Sequence, residues 1–246
     1  MSLIKLKKFT PARVMLATTG PSIKTHELLK LKYDLAQAQD SVLKTWDSEL
    51  FEKNLIEQNY CVLNLTSQVD NRALYLQRPD LGKKLSLSSE EILKQDKNYY
   101  DLAIIISDGL SARAINENFL LLFRPFASFC AQENLRLAPL CLIPFSRVAI
   151  GDHVGELLKT KITLVFIGER PGLSSPASMG IYITYDPKLS RTDADRNCIS
   201  NIHTPNGLAY EDAVAKLCYL VTMSLKLKFS GVKLKESSIA RKHLGM

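Results

Sequence analysis

The sequence predicts an α/β fold: a mostly parallel sheet with helices on both faces, preceded by an N-terminal helical segment. Three observations lead there. From residue 60 onward, short apolar runs alternate with stretches whose apolar residues recur at three- and four-residue steps, the pattern of strands interleaved with helices. The clearest runs, 102–106 and 162–167, read as buried strands, as a sheet covered on both faces requires. Before residue 60 the periodicity is helical only.

Taken in order, residues 25–44 carry Leu28, Leu31, Leu35, Ala38 and Val42 on one helical face, and 47–58 form a second helix with Leu50, Phe51, Leu55 and Ile56. Residues 60–65 read as the first strand. Ser88 and Glu91 have capping-box spacing and predict a short helix through Leu93. The strand at 102–106 ends at Ser107-Asp108-Gly109, and Ser111 is placed to cap a helix running toward Arg124. Pro125 removes a backbone donor, so a kink or a fresh helix start is expected there. A strand at 135–143, a short helix at 154–158 and strands at 162–167 and 181–185 follow. The last helix, 210–228, has Val214, Leu217, Val221 and Leu225 on one face. Its early Glu211 and Asp212 and late Lys226 and Lys228 suit the helix dipole. No repeat or Gly/Ser-rich linker interrupts the chain, which divides into a basic arm (1–10), a helical segment (11–58), the sheet domain (59–232) and a basic tail (233–246).

Composition narrows the class. The 246 residues are 46% hydrophobic and 23% charged, enough to bury a core without disulfide or metal staples. Five cysteines are odd in number and scattered, with no Cys-x-x-Cys pair, which argues for a reducing compartment. No apolar run approaches the roughly 20 residues of a membrane span, and the N-terminus lacks the features of a secretory signal, so a cytosolic protein is expected. The net charge of +7 is dispersed and not interleaved with aromatic residues, which favours a solvated surface or an acidic partner chain over nucleic acid.

Ligands of open α/β sheets bind beyond the carboxyl ends of the strands. Three loops fall there. Ser107-Asp108-Gly109-Leu110-Ser111 is either a turn with a helix cap or a ligand contact. Gly168-Glu169-Arg170-Pro171-Gly172 is a stiff loop presenting an acid and a base, read equally as an internal Glu-Arg tie or as a carboxylate that accepts hydrogen bonds from a ligand. The polar stretch 191–202 shows neither helical nor strand periodicity and reads as a surface loop or a binding loop. Cys198, within it, has no visible base and reads as a small hydrophobe rather than a nucleophile. Phosphate-loop, dinucleotide, nucleophile-elbow and zincin motifs are absent, and the four histidines lack metal-ligand spacing. The residues alone thus describe an α/β binding module without identifiable catalytic machinery.

The loops nonetheless resemble a known family. Pro11-Ala12-Arg13-Val14, Thr19-Gly20-Pro21-Ser22, Leu76-Gln77-Arg78-Pro79-Asp80-Leu81-Gly82, Ile106 through Ser111, Arg147-Val148 leading to Gly155-Glu156-Leu157-Leu158, Ile167 through Leu173, and Asp195 through Ile202 occur in the order found in the small subunit of ethanolamine ammonia-lyase. The resemblance runs from Pro11 to the closing Ser230-Gly231-Val232. It implies a Rossmann-like small subunit of a hetero-oligomer that converts ethanolamine to acetaldehyde and ammonia by a radical mechanism. A large subunit, a β/α barrel, would hold the substrate, and this chain would cover adenosylcobalamin (coenzyme B12) from the other side. Cobalamin contacts would fall on Val148 by packing or backbone, on Glu169 as a hydrogen-bond acceptor, and on Cys198 as a contact residue; no catalytic or metal-ligating residue is implied in this chain. The family binds the cofactor base-on, which agrees with Asp152-His153 being adjacent rather than spaced as Asp-x-His-x-x-Gly. Many relatives carry a long N-terminal extension for targeting to a bacterial microcompartment; with ten residues before Pro11, a plain cytosolic enzyme is the expectation. The competing class is a ligand-binding or regulatory module that kept the fold without the enzyme.

Overall fold

A computed structural model describes residues 18–235. The basic arm, the Pro11-Ala12-Arg13-Val14 segment and residues 236–246 of the tail lie outside the described residues. A small hairpin, β1 (Thr18–Thr19) and β2 (Ser22–Ile23), leads into α1 (Thr25–Leu43) and α2 (Ser48–Glu57). Next come β3 (Val62–Asn64), α3 (Arg72–Gln77), a 3-10 turn at Leu81–Lys83, α4 (Leu87–Gln95), β4 (Leu102–Ser107) and α5 (Ala112–Gln132). The chain closes with β5 (Leu140–Leu142), α6 (Ile150–Leu158), β6 (Ile162–Gly168), β7 (Met179–Tyr185), β8 (Arg196–Ile202) and α7 (Tyr210–Leu227).

Six strands form one sheet in the order β3-β5-β4-β6-β7-β8. The first four run parallel, and β7 and β8 each pair antiparallel with the strand before them. The expected α/β class is therefore found, as a mixed sheet whose parallel half is covered on both faces. Alternate residues of β4 show why. Leu102, Ile104 and Ile106 join a core with α2, α5 and α7, while Ala103 and Ile105 join a second core with Leu93 of α4 and Ile150, Val154 and Leu158 of α6. Strand side chains alternate between faces, so a strand between two helical layers must be apolar throughout. On the α5 side, Phe119 stacks on Phe123 at 5.1 Å and meets Phe166 of β6 edge-on at 5.2 Å, arrangements that aromatic quadrupoles favour.

Several expectations need correction. Helix α4 is capped by Ser86, whose hydroxyl accepts from the Ser89 amide, not by Ser88. The same hydroxyl meets Thr66 at 2.7 Å, so it also ties α4 to the segment after β3. Ser86→Ala is expected to destabilise the chain by about 1 kcal/mol, and Ser88→Ala by less than about 0.5 kcal/mol, compared by urea denaturation. Pro125 does not start a new helix; α5 runs through it to Gln132. Pro125 and Leu121, whose carbonyl loses its helical partner, are both exposed residues. Helix α6 begins at Ile150, four residues before the expected start, and β5 is confined to Leu140–Leu142. Among the described residues no helix is long and apolar enough to cross a membrane.

Candidate functional site

Helix α6 covers β4 and β6, but the sheet continues past it through β7 and β8. Beyond the helix, the same face carries Gly180 and Tyr182 of β7 and Cys198 and Ser200 of β8. Tyr182 is opposite Cys198 in the antiparallel register, which puts their side chains on one face. On the other face Ile181, Ile183 and Ile199 are buried in the α5/α7 core. Tyr182 is half-buried, and Cys198 and Ser200 are exposed. The result is a partly open sheet face flanked by the first turn of α6.

Glu169 follows β6 directly, at the carboxyl end of the strand. Its amide donates to Ser178 O at 2.9 Å, and its carboxylate reaches across β7 to β8. Oε2 accepts from Ser178 Oγ at 2.6 Å and from the Asn201 amide at 3.1 Å, and Oε1 accepts from Ser200 Oγ at 2.6 Å. Gly180 makes the crossing possible: a Cβ there would stand 2.9 Å from Oε1, tighter than side chains tolerate. A carboxylate offers about four lone-pair directions, so three internal bonds leave one, on Oε1, for another donor. Arg170 does not pair with Glu169; it borders a separate groove with Pro171 and α1. The Glu-Arg tie read for this loop is therefore not formed; two serines and a backbone amide hold Glu169 instead.

Cys198 lies in a segment read from sequence as irregular, and this is a correction: residues Arg196–Ile202 form strand β8, with a bulge in its pairing between Met179 and Ile181. The thiol is raised above its ordinary value, first by desolvation and further by the Glu169 carboxylate, against the lowering effect of the Tyr182 hydroxyl. It reaches solvent, yet its protein surroundings hold it further toward the thiol than an ordinary cysteine, which slows its attack on electrophiles without preventing it. Burial likewise raises the Tyr182 hydroxyl well above its usual value, with the neighbouring Cys198 and Glu169 adding to the rise.

Val148 sits in the turn between β5 and α6, half-buried against the α4/α6 core. It borders a cleft of about 590 Å³ whose far wall includes Tyr182. The floor is an ion pair: Arg196 Nη1 donates to both oxygens of Asp152 at 2.6 Å, with side chains 4% and 3% exposed. Arg196 Nε also meets Asp193 at 3.2 Å. Burial raises the Asp152 carboxyl above its ordinary value, opposed chiefly by Arg196. Tyr182 links the two regions: it borders the cleft with Val148 and pairs across the ladder with Cys198, which itself faces a separate cavity with Ser200, Asn201 and Leu220, while Glu169 acts electrostatically on both Tyr182 and Cys198.

The other loop is structural. Asp108 is fully buried, accepting from the Phe145 amide at 2.8 Å and pairing with Arg72 at 3.0 Å, and burial pushes its carboxyl up to about 6. Ser111 caps α5 through Ala114 N and donates to Pro176 O. Nor is His153 free to serve a metal: its Nδ1 accepts from the Leu85 amide at 3.2 Å and its Nε2 faces Glu90 at 3.5 Å. Among the described residues no group of three His, Cys, Asp or Glu is placed to hold a metal ion.

Sequence reasoning missed Tyr182, Gly180 and the Asp152–Arg196 pair. A signal for Tyr182 existed: within Ile181-Tyr182-Ile183 the aromatic must point away from the face that buries the isoleucines. The pair, 44 positions apart, left no local trace.

Comparison with known proteins agrees over nearly the whole chain. The sequence model of one family, Ethanolamine ammonia-lyase light chain (EutC), matches residues 2–235. An ethanolamine ammonia-lyase small subunit from Xanthomonas campestris pv. campestris is 42% identical over 238 residues, 95% of this chain and 87% of that protein. The protein of the same name from Pseudomonas fluorescens is 41% identical over 239 residues, 96% of this chain and 87% of the other. One from Pseudomonas aeruginosa is 40% identical over 239 residues, with the same coverage.

Proposed function

Because the chain belongs to the ethanolamine ammonia-lyase light-chain family, we propose that it is the small subunit of a two-part lyase that splits ethanolamine into acetaldehyde and ammonia, and that it covers one side of a base-on adenosylcobalamin. A large subunit, a β/α barrel, completes the hetero-oligomer and carries the substrate site. The observation that most supports this reading is the gathering of Val148, Tyr182, Cys198 and Glu169 around one partly open sheet face.

The side chains fit a corrin, a broad apolar disc fringed with amides. Val148 and the half-buried Tyr182 ring offer apolar contact, and the spare lone pair of Glu169 suits an amide N–H at the rim. Cys198, held toward its thiol form, offers a packing contact. His153 is bonded inside the α4/α6 layer and would not reach the cofactor's cobalt, in keeping with the proposed base-on form. Adenosylcobalamin, when bound, supplies the radical that begins the reaction. The role of this chain is to orient that group and to exclude water from its side.

Co-expression with the large subunit of one of the bacterial relatives tests the proposal. The two chains are expected to co-purify, bind adenosylcobalamin, and form acetaldehyde from ethanolamine only when it is present. A chain that neither pairs nor supports cofactor binding would instead be a non-catalytic module of the same fold.

A further inference from the structure

The cleft beside Val148 carries more positive charge than its own carboxylates balance. Five cations line it (Lys83, Lys84, Arg147, Arg191 and Arg196) against two carboxylates, Asp152 and Asp193. Two of the five are neutralised locally: Arg196 by Asp152 and Asp193, and Arg191 by Asp186 at 2.9 Å. The remaining three have no carboxylate within ion-pair distance among the described residues.

Their placement is rigid at the backbone. Arg147 N donates to Gly82 O at 2.7 Å, which fastens the lysine-bearing turn to the turn before α6. Gly82 packs so closely that a Cβ there would stand 3.0 Å from Arg147 Cγ. On the far side of the lysines, the Leu85 amide is held by His153 and the Lys84 carbonyl by the Gln68 amide. The Arg147 guanidinium stacks 3.9 Å from the Tyr75 ring centre and donates to the Tyr75 carbonyl, while its Nε is buried without a partner. Neither contact cancels its charge. Three cations are thus held together, uncompensated, at the mouth of a cleft of ligand size, beside the first turn of α6, where backbone dipoles add to the positive potential.

We propose that Lys83, Lys84 and Arg147 form a phosphate subsite, which takes the phosphodiester in the nucleotide loop of the cofactor. This rests on the cobalamin reading above, extending it from the corrin ring to the loop that hangs from it. Lysines supply point charges and arginine a directed fork, the combination proteins use for phosphate oxygens.

The test is spectroscopic titration of the two-subunit complex with adenosylcobalamin and with adenosylcobinamide, which lacks the phosphate and base. The double variant Lys83→Gln with Lys84→Gln touches only exposed side chains, so the fold is retained. It is expected to bind adenosylcobalamin about tenfold or more weakly and to bind adenosylcobinamide as the unaltered complex does. Salt should weaken adenosylcobalamin binding less in the variant than in the unaltered complex. Inorganic phosphate, titrated against adenosylcobinamide-loaded complex, shows whether free phosphate takes the same place, and that binding should also depend on the two lysines. Equal loss for both cofactors, or no loss for either, overturns the subsite while leaving the cobalamin proposal standing. Failure of the unaltered complex to bind either corrinoid would overturn both.

Discussion

Glu169→Ala is expected to weaken adenosylcobalamin binding to the two-subunit complex roughly tenfold to more than a hundredfold, the range for losing a hydrogen bond to a charged group at about 1.5–3 kcal/mol. The carboxylate already accepts from Ser178, Ser200 and the Asn201 amide, so the substitution also loosens β8 from the end of β6. Two measurements separate the consequences. Thermal or urea unfolding of the complex reports the tether; cofactor titration of the folded complex reports the contact. Ser200→Ala serves as the companion variant, since it removes one internal bond and leaves the carboxylate in place. Its binding is expected to change by less than about threefold, a fraction of one net hydrogen bond. If Glu169→Ala lowered stability while the folded complex bound cofactor normally, Glu169 would be a tether alone.

Arg196→Ala should have the largest effect on stability, about 3–5 kcal/mol, because it strands the Asp152 carboxylate inside α6 with no other cation among the described residues in contact. The cost comes from the charge left behind, not from the strength of the pair. Replacing both partners with apolar residues of similar volume, Asp152→Leu with Arg196→Met, is therefore expected to recover most of the loss. Urea denaturation midpoints of the two variants and the unaltered chain give the comparison. The pair joins the antiparallel extension of the sheet to the parallel half, so under the proposed function the single variant should also impair cofactor binding.

What was readable in the sequence follows from how each segment is buried. Strands β4 and β6 lie between two helical layers, and their unbroken apolar runs announced it. Strand β8 has nothing of the kind. It is an edge strand in which Ile199 and Ile202 are buried while Cys198, Ser200 and Asn201 are exposed, so its seven residues looked like a polar loop. Capping-box spacing pointed to Ser88; only the fold shows that Ser86, held against Thr66, takes that place. The position of Glu169 at a strand's carboxyl end was legible, because the apolar run before it marked β6. The cofactor contacts proposed for Glu169, Val148 and Cys198 come from the family resemblance, because a half-buried valine in a turn and a lone cysteine carry no local signal. Tyr182 and the cations of the cleft come from chain segments far apart in sequence and gain meaning only when the sheet brings them together.

Thiol labelling offers the most direct measurement of the central idea, that the β7–β8 face beside α6 meets the cofactor. Cys198 and Cys61 are exposed, while Cys130, Cys141 and Cys218 are buried. In the two-subunit complex, saturating adenosylcobalamin should slow maleimide reaction at Cys198 and leave Cys61, on the opposite edge of the sheet beside β3, unchanged. Equal Cys198 reactivity with and without bound cofactor would contradict it.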